Sequence, residues 1–171
     1  MTPEFSRREK LDALGAAERA VSISAKPEER AALATRFGLQ SIERLDAVLT
    51  IVKDAAGLRV RGRLGADVTQ SCSITGEPIP VTLDEPVELL FVAEDLAGDE
   101  IELSADACDT IVHDGSGIDL GEAVAETMAL ALDPFPRCAD AAEATQEASV
   151  SGEPEAGPFA ALAALRGKLK D

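Results

Sequence analysis

Leu45-Asp46-Ala47-Val48-Leu49-Thr50-Ile51-Val52-Lys53 is a run of period two, with Leu45, Ala47, Leu49 and Ile51 on one side. Asp54-Ala55-Ala56-Gly57 follows with the composition of a turn. The period then resumes in Leu58-Arg59-Val60-Arg61-Gly62-Arg63-Leu64, where Leu58, Val60 and Leu64 alternate against Arg59, Arg61 and Arg63. Successive side chains of a strand point to opposite faces, so each run sets an apolar side against a polar one. Together they predict an antiparallel hairpin with one face on the core and one in water. This reading decides the class: an α+β fold, an antiparallel β-sheet with flanking helices.

Working outward, Ala20-Val21-Ser22-Ile23-Ser24-Ala25 alternates apolar and small polar residues and predicts a strand. Pro27-Glu28-Glu29 opens a helix, because proline suits its first turn and acids favour its positive end. Ala31, Leu33 and Phe37 supply its apolar positions, and Gly38 fits the left-handed stop. Downstream, Thr75-Gly76-Glu77-Pro78 is a turn signal. Ile79–Leu83 and Val87–Val92 predict further strand, with Pro80 and Pro86 near an edge or bulge. Asp119-Leu120-Gly121-Glu122 has the form of a capping box, and Leu120, Val124, Met128 and Ala131 recur at helical spacing before Pro134. Residues 1–138 are thus expected to form a single α+β domain. Residues 139–157 are rich in Ala, Glu, Ser, Gly and Pro without a basic group, and predict an acidic flexible linker. Residues 158–171 resume an apolar helical pattern, expected to be a C-terminal docking helix.

The chain has 171 residues, 46% apolar but only 3% aromatic, with no Trp or Tyr. The core must therefore be aliphatic, and the apolar content is too high for disorder over most of the chain. No apolar run follows Met1-Thr2-Pro3-Glu4-Phe5, and no window is long and apolar enough to span a bilayer. With three cysteines in no framework spacing, the expectation is reduced thiols in the cytoplasm.

The formal charge of −16 is very unevenly spread. Residues 1–63 hold 12 basic against 9 acidic groups, and residues 137–171 hold 4 against 6. Residues 64–136 hold 17 Asp and Glu with no Lys or Arg. Such a field repels phosphate backbones and attracts basic proteins. Direct contact with RNA is accordingly expected to be weak or indirect. Arg59, Arg61 and Arg63 are the candidate RNA or anion contacts, since they share one strand face. Their alternative reading is a solvated face paired with acids such as Asp46.

Other constellations carry less. Cys72, Cys108, Cys138 and His113 are scattered, Cys138 has no local partner, and a closed zinc site usually arrives as close pairs. The expectation is no metal and no cofactor, with buried or inert thiols. Asp114-Gly115-Ser116-Gly117-Ile118-Asp119 has Ile118 where a calcium ligand belongs, and is read as a turn into the capped helix. One His and three distant Cys give no diagnostic nucleophile–base spacing, and no phosphate loop is present, so no catalytic residue is expected. In the tail, Phe159, Leu162, Leu165 and Leu169 form a stripe read as the partner-binding face, the alternative being a last helix packed on its own domain.

Four segments in order carry a family resemblance: Val68-Thr69-Gln70-Ser71-Cys72-Ser73-Ile74-Thr75-Gly76-Glu77-Pro78; Gly117-Ile118-Asp119-Leu120-Gly121-Glu122-Ala123-Val124-Ala125-Glu126; Leu130-Ala131-Leu132-Asp133-Pro134-Phe135-Pro136-Arg137-Cys138; and Gly157-Pro158-Phe159-Ala160-Ala161-Leu162. They resemble the YceD family, the bacterial proteins named for large ribosomal RNA subunit accumulation. Pro27-Glu28-Glu29-Arg30 and Ala34-Thr35-Arg36-Phe37-Gly38-Leu39 are similar to its alphaproteobacterial version. The resemblance implies an α+β domain acting in the cytoplasm in ribosome biogenesis. Many relatives carry C-x-x-C where this chain has Cys72 and Thr75, so no metal role carries over, and the family supplies no catalytic residues. The resulting expectation is a non-enzymatic assembly factor that binds a basic ribosomal protein or a large-subunit precursor. The alternative is an RNA-processing or RNA-modifying enzyme of the same pathway.

Overall fold

Five strands form the main sheet in the order β2-β3-β4-β5-β6: β2 (Arg19–Ser24), β3 (Ser41–Asp54), β4 (Gly57–Ser71), β5 (Pro78–Ala93) and β6 (Asp109–His113). The computed structural model describes residues 3–11, 17–54, 57–93 and 109–141. Pairing is antiparallel from β2 to β5, and β6 joins β5 in parallel over Leu89–Ala93. A separate two-stranded ladder joins β1 (Arg8–Glu9) to β7 (Ile118–Asp119), so the start of the chain lies beside the entry to the second helix. Two helices are described, α1 (Pro27–Phe37) and α2 (Leu120–Ala131).

The hairpin read from Leu45 to Leu64 is the centre of the sheet. Leu45, Ala47, Leu49 and Ile51 of β3 are buried, as are Leu58, Val60 and Leu64 of β4. The strands run further than their alternation suggested, because β3 begins at Ser41 and β4 continues through Ala66 and Val68, both buried. α1 covers the core face with Leu33 and Ala34, and α2 with Leu120, Ala123, Val124, Ala125 and Met128. Phe5 completes this core and is fully buried. Ala31 and Ala131, assigned to the apolar stripes, are exposed, since those stripes are narrower than the spacing implied.

Two glycines permit close approaches that define this geometry. A Cβ on Gly62 would stand 2.0 Å from the Val48 carbonyl oxygen, so β3 and β4 approach there without room for a side chain. A Cβ on Gly121 would stand 2.4 Å from the Phe5 carbonyl oxygen, where the N-terminal segment lies across the first turn of α2.

Three local expectations change. Ile79–Leu83 and Val87–Val92 belong to one strand, β5. Pro80 and Pro86 do not break it, because they lie in the part paired with β4 alone among the described residues. β6, and its parallel pairing, had no counterpart in the reading of the sequence. Asp119 is the N-cap of α2, but Glu122 does not return to close a capping box; its carboxylate is held by Arg36 instead. The reciprocal back-bond occurs at α1, where Glu29 Oε2 accepts from the Lys26 amide at 2.7 Å. α1 ends as read, at Gly38 with φ of 67°. Residues 142–157 of the acidic linker and residues 158–171 lie outside the described residues, as do Ala55, Ala56 and Cys108.

Candidate functional site

The outer face of the sheet displays the arginine ridge. Strand alternation turns Arg59, Arg61 and Arg63 away from the core, and Arg61 and Arg63 are exposed while Arg59 is half-buried. Arg61 forms an ion pair with Glu88 at 2.8 Å and Arg63 with Asp84 at 2.9 Å, both from β5. The Asp84 carboxylate is held below its usual range, first by the hydrogen bond from Arg63. Asp46, named as a cross-strand partner, is paired with Arg44, which also holds Asp67 at 2.7 Å and lies over Gly65. An anion reaching this ridge would compete with carboxylates already in place. Val48 and Val52 share the face, with Val48 62% exposed. At the far end Leu90 and Val92 are buried on this same side, which accounts for the unbroken apolar run that closes β5.

A cleft of about 350 Å³ opens between β6, the β6–β7 turn and α2. Its apolar lining is Phe91, Ile111, Val112, Ile118 and Ala123, and its polar groups are Arg8, His113, Asp114, Asp119, Glu122 and Glu126. All four acids come from the stretch without cations. Three of them have structural duties. Asp119 Oδ1 accepts from the amides of Arg7 (2.8 Å), Gly121 (3.1 Å) and Glu122 (3.3 Å), and Oδ2 accepts from the Ser6 hydroxyl. Glu122 receives both Nη groups of Arg36, at 3.0 and 2.7 Å. Asp114 Oδ1 accepts from the Ser116 hydroxyl (2.6 Å) and amide (2.9 Å), and these bonds hold its carboxyl below the usual range. Glu126 is exposed and makes no hydrogen bond or ion pair among the described residues. His113 Nδ1 accepts from the Gly115 amide at 3.1 Å, which fixes the loop at the mouth.

The fold also unites two groups that the sequence keeps apart. Cys138 has a partner after all: its amide donates to Cys72 Sγ at 3.3 Å, across 66 residues. The Thr75 amide lies 3.5 Å from the same sulfur, and Thr75 Oγ1 lies 3.3 Å from Cys138 Sγ. The Cys138 and Thr75 donors stabilise a thiolate and lower Cys72 to about 6. At Cys138 the Thr75 hydroxyl favours the thiolate, but the Cys72 sulfur, burial and Glu77 outweigh it and push the thiol up. Among the described residues no three His, Cys, Asp or Glu side chains gather as a metal-binding group. No spacing rule reveals such a pair, because only the clamp of the post-α2 segment onto the β4–β5 turn creates it. Phe159, Leu162, Leu165 and Leu169, the candidate partner-binding stripe, lie outside the described residues.

No helix among the described residues is long and apolar enough to cross a membrane. A family model described as "Large ribosomal RNA subunit accumulation protein YceD" matches residues 60–166, from within β4 through α2 and on into the tail. No curated protein and no solved structure matches the chain.

Proposed function

The chain belongs to the YceD family, and on that premise we propose that it supports large-subunit ribosomal RNA accumulation by binding a basic ribosomal protein or its precursor particle in the cytoplasm. The carrying observation is the cleft beside α2. Its four carboxylates, two of them bound into the cap of α2 and the Arg36 pair, surround an apolar lining. This combination suits a Lys or Arg side chain of a partner, whose alkyl stem packs on carbon while its head reaches Glu126 and Asp114. A binding role is favoured over a catalytic one because Asp119 and Glu122 are engaged as structural acceptors of the α2 cap and of Arg36. The tail stripe of Phe159, Leu162, Leu165 and Leu169 is proposed as a second, apolar contact with the same partner.

The test measures binding of purified basic large-subunit ribosomal proteins to the full chain, at rising salt, for the native protein and for Asp114→Lys with Glu126→Lys. Binding that weakens with salt and is lost in the double variant is the expected result. Binding indifferent to both would overturn the assignment of the cleft. Cleavage or modification of precursor RNA by the pure protein would establish the enzymatic alternative.

A further inference from the structure

The acidic cleft makes no use of the cysteines. We propose that Cys72 and Cys138 are a peroxide-reactive dithiol that closes reversibly into an intramolecular disulfide. The inference stands apart from the ribosomal reading.

Geometry comes first. Both sulfurs touch Thr75, and the Cys138 backbone amide lies 3.3 Å from Cys72 Sγ, so the two cysteines are direct neighbours across the turn. Their backbones are already fixed beside one another. The Ser73 amide donates to the Pro136 carbonyl at 2.8 Å, and Gln70 Nε2 donates to the Asp133 carbonyl at 2.9 Å. On the other side of the turn, the Cys72 amide donates to the Glu77 carbonyl at 2.8 Å and the Gly76 amide to the Cys72 carbonyl at 2.9 Å. A disulfide needs this preformed approach, since misplaced backbones must distort to close one.

The two thiols are also unequal in the useful sense. Amide donors converge on Cys72 and hold it as the thiolate, which is the nucleophilic form, whereas Cys138 retains its proton. Cys72 itself is covered, but Ser71 and every residue from Ser73 to Glu77 are exposed, so it sits one layer beneath the surface. Cys138 is half-buried between exposed Arg137 and Ala139. A small hydroperoxide needs only a slight opening of this turn.

The chemistry balances with one peroxide per chain. The Cys72 thiolate attacks one peroxide oxygen, the O–O bond breaks, and the departing hydroxide takes a proton to leave as water. Cys72 is then a sulfenic acid. Cys138 sulfur attacks Cys72 sulfur, the S–O bond breaks, and the second hydroxide leaves as water with the Cys138 proton. Two thiols are oxidised and one peroxide is reduced to two waters. A dithiol reductant reverses the bond by exchange.

The full chain, reduced and folded, is treated with hydrogen peroxide and its peptides are mapped without reduction. The expected product is a monomer lighter by two hydrogens, with Cys72 linked to Cys138, a higher Tm, and full reversal by dithiothreitol. Cys108→Ser should behave identically. In Cys138→Ser, dimedone should trap the sulfenic acid on Cys72. Alkylation of Cys72 in the native chain should rise with pH to a midpoint near 6. A link to Cys108, a cross-link between chains, Cys72 driven to the sulfinic acid while Cys138 stays free, or thiols that react only after unfolding in urea would each overturn the proposal.

Discussion

Asp119 was legible as a helix cap, and its real burden was not. Its carboxylate takes the amides of Gly121 and Glu122 and also ties down the Arg7 amide and the Ser6 hydroxyl from the opposite end of the chain. A simple cap is worth about 1 kcal/mol. Losing four acceptor contacts, with the donors left partly buried, should cost Asp119→Ala about 2–4 kcal/mol, read from urea midpoints. Asp119→Asn, which keeps the acceptor oxygen, should cost less than half of that. Glu29 shows the same economy of position: it back-bonds the Lys26 amide and receives Arg7 through both Nη groups at 2.8 Å. The Arg7 hydrogen bonds are the main reason its carboxyl falls to about 2. A depressed carboxyl stabilises the fold above its unfolded value, near 4.3, and that stability is lost as pH falls through the folded value. Both side chains are partly solvated, so screening limits the pair to about 1 kcal/mol. Glu29→Gln should therefore be less stable than the native chain at pH 7, and the gap should close between about pH 4.3 and 2.

At the scale of elements, the β3–β4 hairpin was readable because each strand has one dry and one wet face, and period two survives wherever that holds. In β5 the terminal Leu89-Leu90-Phe91-Val92 is buried on both sides and carries no alternation, and it was readable as strand only from its continuous apolar run. The reading split β5 at prolines that this part of the strand tolerates, being paired with β4 alone among the described residues. β6 was illegible for another reason, since the short Asp109–His113 is a strand by virtue of its parallel pairing with Leu89–Ala93 of β5, which its own sequence pattern does not announce. Gly62 gives the hairpin its sharpest test. Its missing Cβ would press on the backbone of Val48, and a backbone cannot rotate aside as a side chain does. Gly62→Ala should cost about 2–3 kcal/mol or more, the range of severe overpacking. Gly38→Ala meets open space and should cost only the left-handed strain, about 1 kcal/mol. Equal midpoints for the two variants in urea would contradict the close approach of β3 and β4 at this point.

For the whole molecule, charge segregation was plain in the sequence, and so were the four ordered segments of the family. The four acids of the cleft lie close together in the chain, from Asp114 in the β6–β7 turn to Glu126 in α2, whereas the convergence of Cys72 on Cys138 depends on long-range closure that no local pattern encodes. If the tail stripe is a contact for a partner, deleting residues 158–171 should leave Tm nearly unchanged and weaken association with large-subunit precursors. A large fall in Tm would instead make the stripe part of the protein's own core. The ladder of β1 with β7 bears on how the molecule is made. Arg7 and Asp119 are 112 residues apart, and the chain is synthesised from its N-terminus. Phe5, fully enclosed in the finished protein, emerges from the ribosome long before the first turn of α2 exists to cover it. The β2–β5 meander has neighbours close in sequence and can assemble as it emerges, whereas residues 3–9 must wait for Ile118–Gly121. On stalled nascent chains of increasing length, the N-terminal segment should stay open to protease until α2 has cleared the exit tunnel. Protection appearing with the meander alone would show that Phe5 finds an earlier shelter.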